Sequence, residues 1–237
     1  MRNTPDSTKK FNGLLRKLMR RTPPAEFNEP VDPVEVLVKS FLIWESTTTK
    51  ATAAYKRIMD QVVDFNDLRV SMPDELVEWI GPRYPMALER CKRLRASLRD
   101  TFKREHAVNL DRLHGLGRRE VKQYLRSLDG ISPYAADRVT LLCFDAHCMP
   151  VDQRLRRALI KEGACEENIE IADLSAWLAR HIKAADGAVT HSALQAWSDR
   201  VGSFAPDGRS AGDGSPAGTT RRAAVSTKKK TAQSYRS

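Results

Sequence analysis

The stretch SLDGISPYAADRV, residues 127–139, reads as two helices joined through a tight turn. A helix carrying Tyr124 and Leu125 runs to Leu128, and the chain reverses over Asp129, Gly130 and Ile131. Ser132 then offers its hydroxyl as an N-cap, and Pro133 stands at the first helical position, where a missing N–H costs nothing. Gly130 permits a turn that a side chain would obstruct, with Leu128 and Ile131 as apolar plugs beneath it. The backbone N–H groups at the start of the second helix point outward, and a helix N-terminus attracts phosphate. Contacts of that kind hold a nucleic-acid backbone without reading its bases. Thirteen residues after Val139, the stretch MPVDQRLRRAL (149–159) sets Asp152 at the start of another helix.

Outward from the hairpin the pattern is helical nearly throughout. DPVEVLVKSFLIWES opens with Asp32 as N-cap and Pro33 at the first position, then runs apolar at 34, 36, 37, 38 and 41 to 44, the signature of a largely buried helix. TTTKATAAYKRIMDQV restarts at a threonine cap, MPDELVEWIG is a short helix ending at Gly81, and YPMALERCKRLRASLRDTFKRE is a long one. Further helices are expected at about 118–127, 133–144, 152–161, 171–185 and 190–201, and FNGLLRKLMRR near the start reads as a basic amphipathic helix that packs on the body or touches nucleic acid. No stretch sustains period-two alternation, so the fold class is all-α.

Composition is consistent with one such body. The 237 residues are 41% apolar and carry a net charge of +10. Residues 1–25 hold seven Lys/Arg against one Asp, and 206–237 hold seven against two, which leaves the body close to neutral. Inside it, residues 83–126 still hold thirteen Lys/Arg against five Asp/Glu, the mark of a polyanion-facing side or of a solvated face laced with ion pairs. The organisation expected is a basic N-terminal extension (1–30), a helical domain (31–203) with its hairpin at about 124–143, and a disordered basic tail (204–237) rich in Gly, Ser, Thr and Lys. No apolar run is long enough for a membrane span and no secretory signal opens the chain, so a cytoplasmic, nucleoid-associated location is expected, with no membrane partner and a monomeric state. Cys91, Cys143, Cys148 and Cys165 form no CxxC pair and read as reduced, mostly buried thiols.

Taken together, the PVEVLVKSFLIWEST helix, the WIGPRYPMALERCKRL turn and helix, the LRSLDGISPYAADRV hairpin and the MPVDQRLRRAL helix resemble the helix–hairpin–helix DNA glycosylase superfamily, the group of endonuclease III and the adenine-mismatch glycosylases. The resemblance runs from about Pro33 to about Val201. It implies a two-lobed helical body with double-stranded DNA in the cleft, and a damaged base or abasic site turned toward Asp152. The family's lysine position falls on Tyr134, eighteen residues before Asp152, which is the family's interval. Breaking an N-glycosidic bond builds positive charge on the sugar, and the resemblance gives Asp152 the task of stabilising that charge and orienting water. A plain N-capping role accounts for the same aspartate in an inactive protein.

Departures from the family shape the expected chemistry. Bifunctional members form a Schiff base through the lysine, and the phenol of Tyr134 forms no imine, so a monofunctional hydrolase without efficient lyase activity is expected. The alternative is a catalytically inactive DNA-binding scaffold with the same fold. The Gly-x-Gly of the hairpin is here Gly130-Ile131-Ser132, followed by a proline that removes one donor. A second glycine pair, Gly115-Leu116-Gly117 followed by Arg118 and Arg119, reads as a helix connection that also touches phosphate. The four closely spaced cysteines of endonuclease III are absent, so no iron–sulfur cluster or other cofactor is expected. Arg154, Arg156 and Arg157 are placed to face phosphates or core acids, although Arg156 and Arg157 cannot point the same way. The resemblance sets Glu45 where endonuclease III fills the gap of a flipped base with glutamine, and a carboxylate there is repelled by DNA. Trp44, His114 and His147 read as core or surface residues before they read as contacts.

Overall fold

Helix signals in the sequence are met closely by a computed structural model that describes residues 4–21 and 32–201. Its α-helices are α1 (Pro5–Met19), α2 (Pro33–Ile43), α3 (Thr48–Met59), α4 (Phe65–Val70), α5 (Pro73–Ile80), α6 (Ala87–Glu105), α7 (Arg118–Arg126), α8 (Pro133–Cys143), α9 (Gln153–Lys161), α10 (Ile171–His181) and α11 (Gly187–Val201). Short 3₁₀ turns at Asp111–Gly115 and Ala184–Asp186 link α6 to α7 and α10 to α11. Among the described residues there is no strand, and no helix is long and apolar enough to cross a membrane. The expected tail at 204–237 lies outside the described residues, as does the Pro-rich 22–31.

Capping chemistry sets the boundaries. Asp32 accepts from the Val34 N–H at 2.8 Å, and Ser132 accepts from the Ala135 N–H at 3.1 Å, so both Pro-initiated helices begin where the sequence places them. Elsewhere the elements differ from expectation, α11 among them, which starts at Gly187 and not at 190. α1 starts earlier, at Pro5, because the Thr4 hydroxyl caps it; α4 was not expected and is nucleated by Asp64, whose carboxylate accepts from Asn66 and Asp67 at 2.8 and 2.9 Å. The single expected helix at 171–185 instead stops at His181, and the chain turns through 3₁₀ geometry before α11.

The buried side chains form two apolar cores. The first is built from α2 to α8, with Leu37, Phe41, Ile58, Leu94, Leu125 and Val139 at its centre. The second is built from α1 and α9 to α11, with Phe11, Leu159, Leu174, Leu178 and Leu194. The basic amphipathic helix α1 therefore packs on the body: Phe11 is fully buried, its ring meeting Trp177 edge-on at 5.0 Å, while Arg16, Lys17, Arg20 and Arg21 line an outer groove. Removing one such aromatic side chain from water is worth about 2–3 kcal/mol.

Candidate active site at the seam of the two cores

Where the cores meet, the ends of α2, α8, α9 and α10 border a cleft of about 420 Å³ lined by Trp44, Glu45, Met86, Pro133, Tyr134, Val151, Asp152, Gln153, Arg157 and Ile171. Asp152 caps α9, and its two oxygens have different partners: Oδ1 accepts from the Leu155 N–H at 2.8 Å and Oδ2 from the Glu45 N–H at 3.1 Å. Glu45 returns the contact, its Oε1 accepting from the Gln153 N–H at 2.8 Å. The two acids thus lock the end of α2 to the start of α9. Glu45 adopts a left-handed backbone with φ +53°, which turns its N–H toward Asp152. Burial raises the pKa of Asp152 despite the two amide contacts, and Glu45 is raised by burial and then by the Asp152 charge.

Tyr134 lies beside the acids on α8, 2% exposed, with its hydroxyl donating to Gln195 Oε1 at 2.9 Å. Gln195 in turn donates to Asp199 Oδ1 at 3.0 Å, and Asp199 Oδ2 accepts from the Thr48 N–H at 2.9 Å. Burial holds the phenol protonated well above the usual tyrosine range. His191, with its ring 6.3 Å from that of Tyr134, is buried and pushed down to about 3, so it is neutral.

Beneath the cleft sits a residue that the sequence reading missed. Arg90 on α6 is fully buried, bonded to the carbonyl of Phe41 at the end of α2 and to the carbonyl of Pro85 at 3.1 Å, with Tyr84 and Trp44 rings 5.1 and 5.8 Å from the guanidinium. It satisfies carbonyls at a helix end, and its charge lies within electrostatic reach of Glu45 and Asp152. The basic run around it hid the signal: Cys91 and Leu94 mark the buried face of α6, and residue 90 lies on that side.

The remaining expected site residues fall in several places. Gly130 has φ +71°, and a Cβ there would stand 2.8 Å from the Arg93 carbonyl and 2.9 Å from the Ala96 side chain, so it allows both the turn and the close seating of the hairpin on α6. Ile131 is half-buried; the Ser132 side chain is fully buried in its capping role, which leaves only its backbone for a phosphate. Gly115 ends the 3₁₀ turn and Gly117 caps α7, its N–H donating to Glu120 at 2.8 Å, so this pair is a helix connection. Arg118 and Arg119 are exposed, the former paired with Asp145 at 2.8 Å.

Arg154 does not face the cleft. Its guanidinium turns inward to the carbonyl of Ser46, to Asp199 at 3.2 Å and to the carbonyl of Ser198 at 3.4 Å, because that side of α9 packs on α11. Its donors serve the seam, on the side of the core acid Asp199. Arg156 donates to the carbonyls of Ile169 and Glu167 at 2.6 and 2.7 Å, whereas Arg157 is exposed and lines the cleft. His147 contacts the Ala179 carbonyl at 2.6 Å and His114 packs on Phe144 at 4.8 Å, both away from the cleft. Among the described residues no group of three or more His, Cys, Asp or Glu is arranged to hold a metal ion.

No family model matches the sequence, and no curated protein matches it. Solved structures do match. An endonuclease III–DNA covalent intermediate superposes with TM-score 0.61 at 16% identity, covering 79% of this chain and 84% of that one. The 8-oxoguanine glycosylase/lyase of Clostridium acetobutylicum, in complex with double-stranded DNA containing cytosine opposite 8-oxoG, gives 0.60 at 15% identity over 84% and 71%. A thermostable thymine-DNA glycosylase gives 0.57 at 16% identity over 80% and 86%. All three are DNA glycosylases, and two helical cores, a tight hairpin and a capping aspartate at the seam are what this chain has in place. The chain shares the helical fold of these solved structures.

Proposed function

We propose that the protein is a monofunctional DNA N-glycosylase of base-excision repair. The observation that carries this reading is the placement of Asp152: a carboxylate on the floor of the seam cleft, oriented by two backbone amides, at the N-terminus of α9. The hairpin's turn and the first amides of α8 hold the backbone of double-stranded DNA, and the damaged nucleotide swings out of the stack toward the cleft. As the bond from C1′ to the base breaks, the electron pair leaves with the base and positive charge grows on the sugar. Ionised Asp152 stabilises that charge and orients a water, whose oxygen adds to C1′ while its proton passes to the carboxylate and then to the departed base. Arg157, exposed at the rim, supplies a cation for a flanking phosphate.

Tyr134 supports hydrolysis without lyase chemistry. A buried, protonated phenol bonded to Gln195 offers no amine for an imine, so the abasic product leaves with its strand intact. One observation favours a second reading, a DNA-binding scaffold without turnover: Asp152 is only 3% exposed and both its oxygens already hold amides.

The two readings separate in one assay. Purified protein is incubated with single-lesion duplexes carrying uracil, hypoxanthine, oxidised purines, oxidised pyrimidines, alkylated purines or A:8-oxoG, and breaks are read with and without hot alkali. The glycosylase reading expects breaks only after alkali on at least one duplex, reduced more than a hundred-fold in Asp152→Asn while DNA affinity stays within a few-fold, a loss on the scale of removing a transition-state electrostatic group. Tight binding without breaks on any duplex overturns it in favour of the scaffold. Breaks without alkali overturn the role given to Tyr134.

A further inference from the structure

Along the outward side of α6, four cations form a row. Lys92, Arg95, Arg99 and Lys103 line a groove of about 300 Å³, with Pro73 of α5 and Asp129 of the hairpin turn also on its walls. The other charged partners on α6 are engaged elsewhere: Arg90 is buried in the first core, Arg93 is held by Glu89 at 2.6 Å, and Arg104 by Asp100 at 2.5 Å. Lys92, Arg99 and Lys103 are exposed and have no ion pair among the described residues, and Arg95 keeps a buried Nε without a hydrogen-bond partner. Of the two bordering acids, Asp100 is committed to Arg104 and to the Asp129 N–H at 3.0 Å, which leaves the four cations facing the single carboxylate of Asp129.

The row is fixed to the hairpin. Ser97 donates to the Asp129 carbonyl at 2.7 Å, and Gly130 seats against Arg93 and Ala96, so the turn abuts the middle of the row. The eleven helical steps from Lys92 to Lys103 span about 16 Å, the axial length of roughly five nucleotides of one duplex strand. We infer that this face of α6 is a second DNA-backbone track, on which a strand held at the hairpin continues beyond the cleft for several phosphates. The inference rests on the reading of duplex DNA as the partner and needs no catalysis. A partner read by charge alone is a polyanion. Continuity with the hairpin commits it to the duplex held there.

The test is the salt dependence of binding by the full chain to an undamaged duplex of about 30 base pairs, measured between 50 and 200 mM salt. Each neutralised phosphate contributes a slope of about −0.9 in log K against log salt. Lys92→Gln/Arg95→Gln/Arg99→Gln/Lys103→Gln is expected to flatten that slope by about 3 to 4, on the order of a hundred-fold across this range. Lys92→Gln/Lys103→Gln, which removes two exposed side chains with no partner to lose, is expected to flatten it by about 2 with an unchanged thermal midpoint. On a duplex short enough to fill only the cleft and hairpin, both variants bind as the wild type does. Slopes equal to wild type on the long duplex overturn the track while leaving DNA binding intact; no duplex binding by the wild type overturns the DNA reading itself. Stronger binding of a matched RNA duplex, lost in the same variants, assigns the row to RNA and overturns the commitment to DNA.

Discussion

Asp152 holds the Glu45 N–H and Glu45 holds the Gln153 N–H across a sequence separation of more than a hundred residues, and the arrangement has a cost set by burial. Both carboxyls titrate above their ordinary values, because burial works against the charged form of each. A group raised in this way contributes stability that is present below its unfolded pKa and lost as pH rises through its folded pKa. Glu45→Gln keeps an oxygen for the Gln153 N–H and removes one of the two charges. Its thermal midpoint is therefore expected to exceed that of the wild type at pH 7 by about 2 °C and to converge with it near pH 4, in melts across that range. A midpoint that falls at pH 7 would show the Glu45 charge to be stabilising. Asp152 was legible in the sequence because an N-cap is a local signal, an acid just before an apolar-periodic run. Its partner was not: Glu45 read as a misplaced gap-filler, since nothing near position 45 reveals that its N–H and carboxylate meet α9. Arg154 shows the same limit. A cation beside a candidate acid looks like a phosphate contact until packing turns it toward Ser46 and Asp199.

Among the elements, the hairpin carries the most information per residue. Gly130 combines a left-handed φ of +71° with backbone less than 3 Å from where a Cβ would stand, so two independent costs fall on one substitution. Gly130→Ala is expected to lose about 2–4 kcal/mol in urea unfolding, from the left-handed strain and the displacement of α6 together. It should also weaken binding to short duplexes, because the turn then tilts away from α6. By contrast, Gly117→Ala meets only the tip of the flexible Glu120 side chain, a distinction that the two glycine-rich stretches did not reveal in sequence. Helix starts were legible for a physical reason, because Asp32, Ser132 and Asp152 each supply the oxygen that their own first turn requires. Helix ends were less so: α10 stops at His181 although Ile182 is apolar and buried, because that side chain fills the second core from outside the helix. The short α4 escaped notice because six residues are too few to show a period.

At the scale of the molecule, two cores are tied by a polar seam, and this governs how the cleft can open. Asp199 on α11 gathers three ties: the Thr48 N–H at the start of α3, Arg154 from α9, and Gln195, which itself holds Tyr134 of α8. The Thr48 contact, and the Tyr134 bond behind Gln195, join elements whose apolar faces point into different cores, whereas Arg154 ties two helices of the second core, so the seam adds specificity of alignment more than buried area. Asp199→Ala leaves the Arg154 guanidinium, 14% exposed, without its carboxylate and the Thr48 N–H without its acceptor. Losing a charged acceptor that serves the part-buried Arg154 and the exposed Thr48 N–H costs about 1–3 kcal/mol. That loss should fall unevenly. The first core, built from seven helices, keeps its own contacts, whereas the second depends on α9 and α11 being held against it. Hydrogen exchange is the measurement that resolves this: amides of α9 to α11 are expected to lose protection by a larger factor than those of α2 and α6. Equal losses in both sets would mean that the cores unfold as one cooperative unit and that the seam only aligns them. A larger loss in α2 and α6 would contradict the placement of the weaker joint on the α9 to α11 side of the cleft.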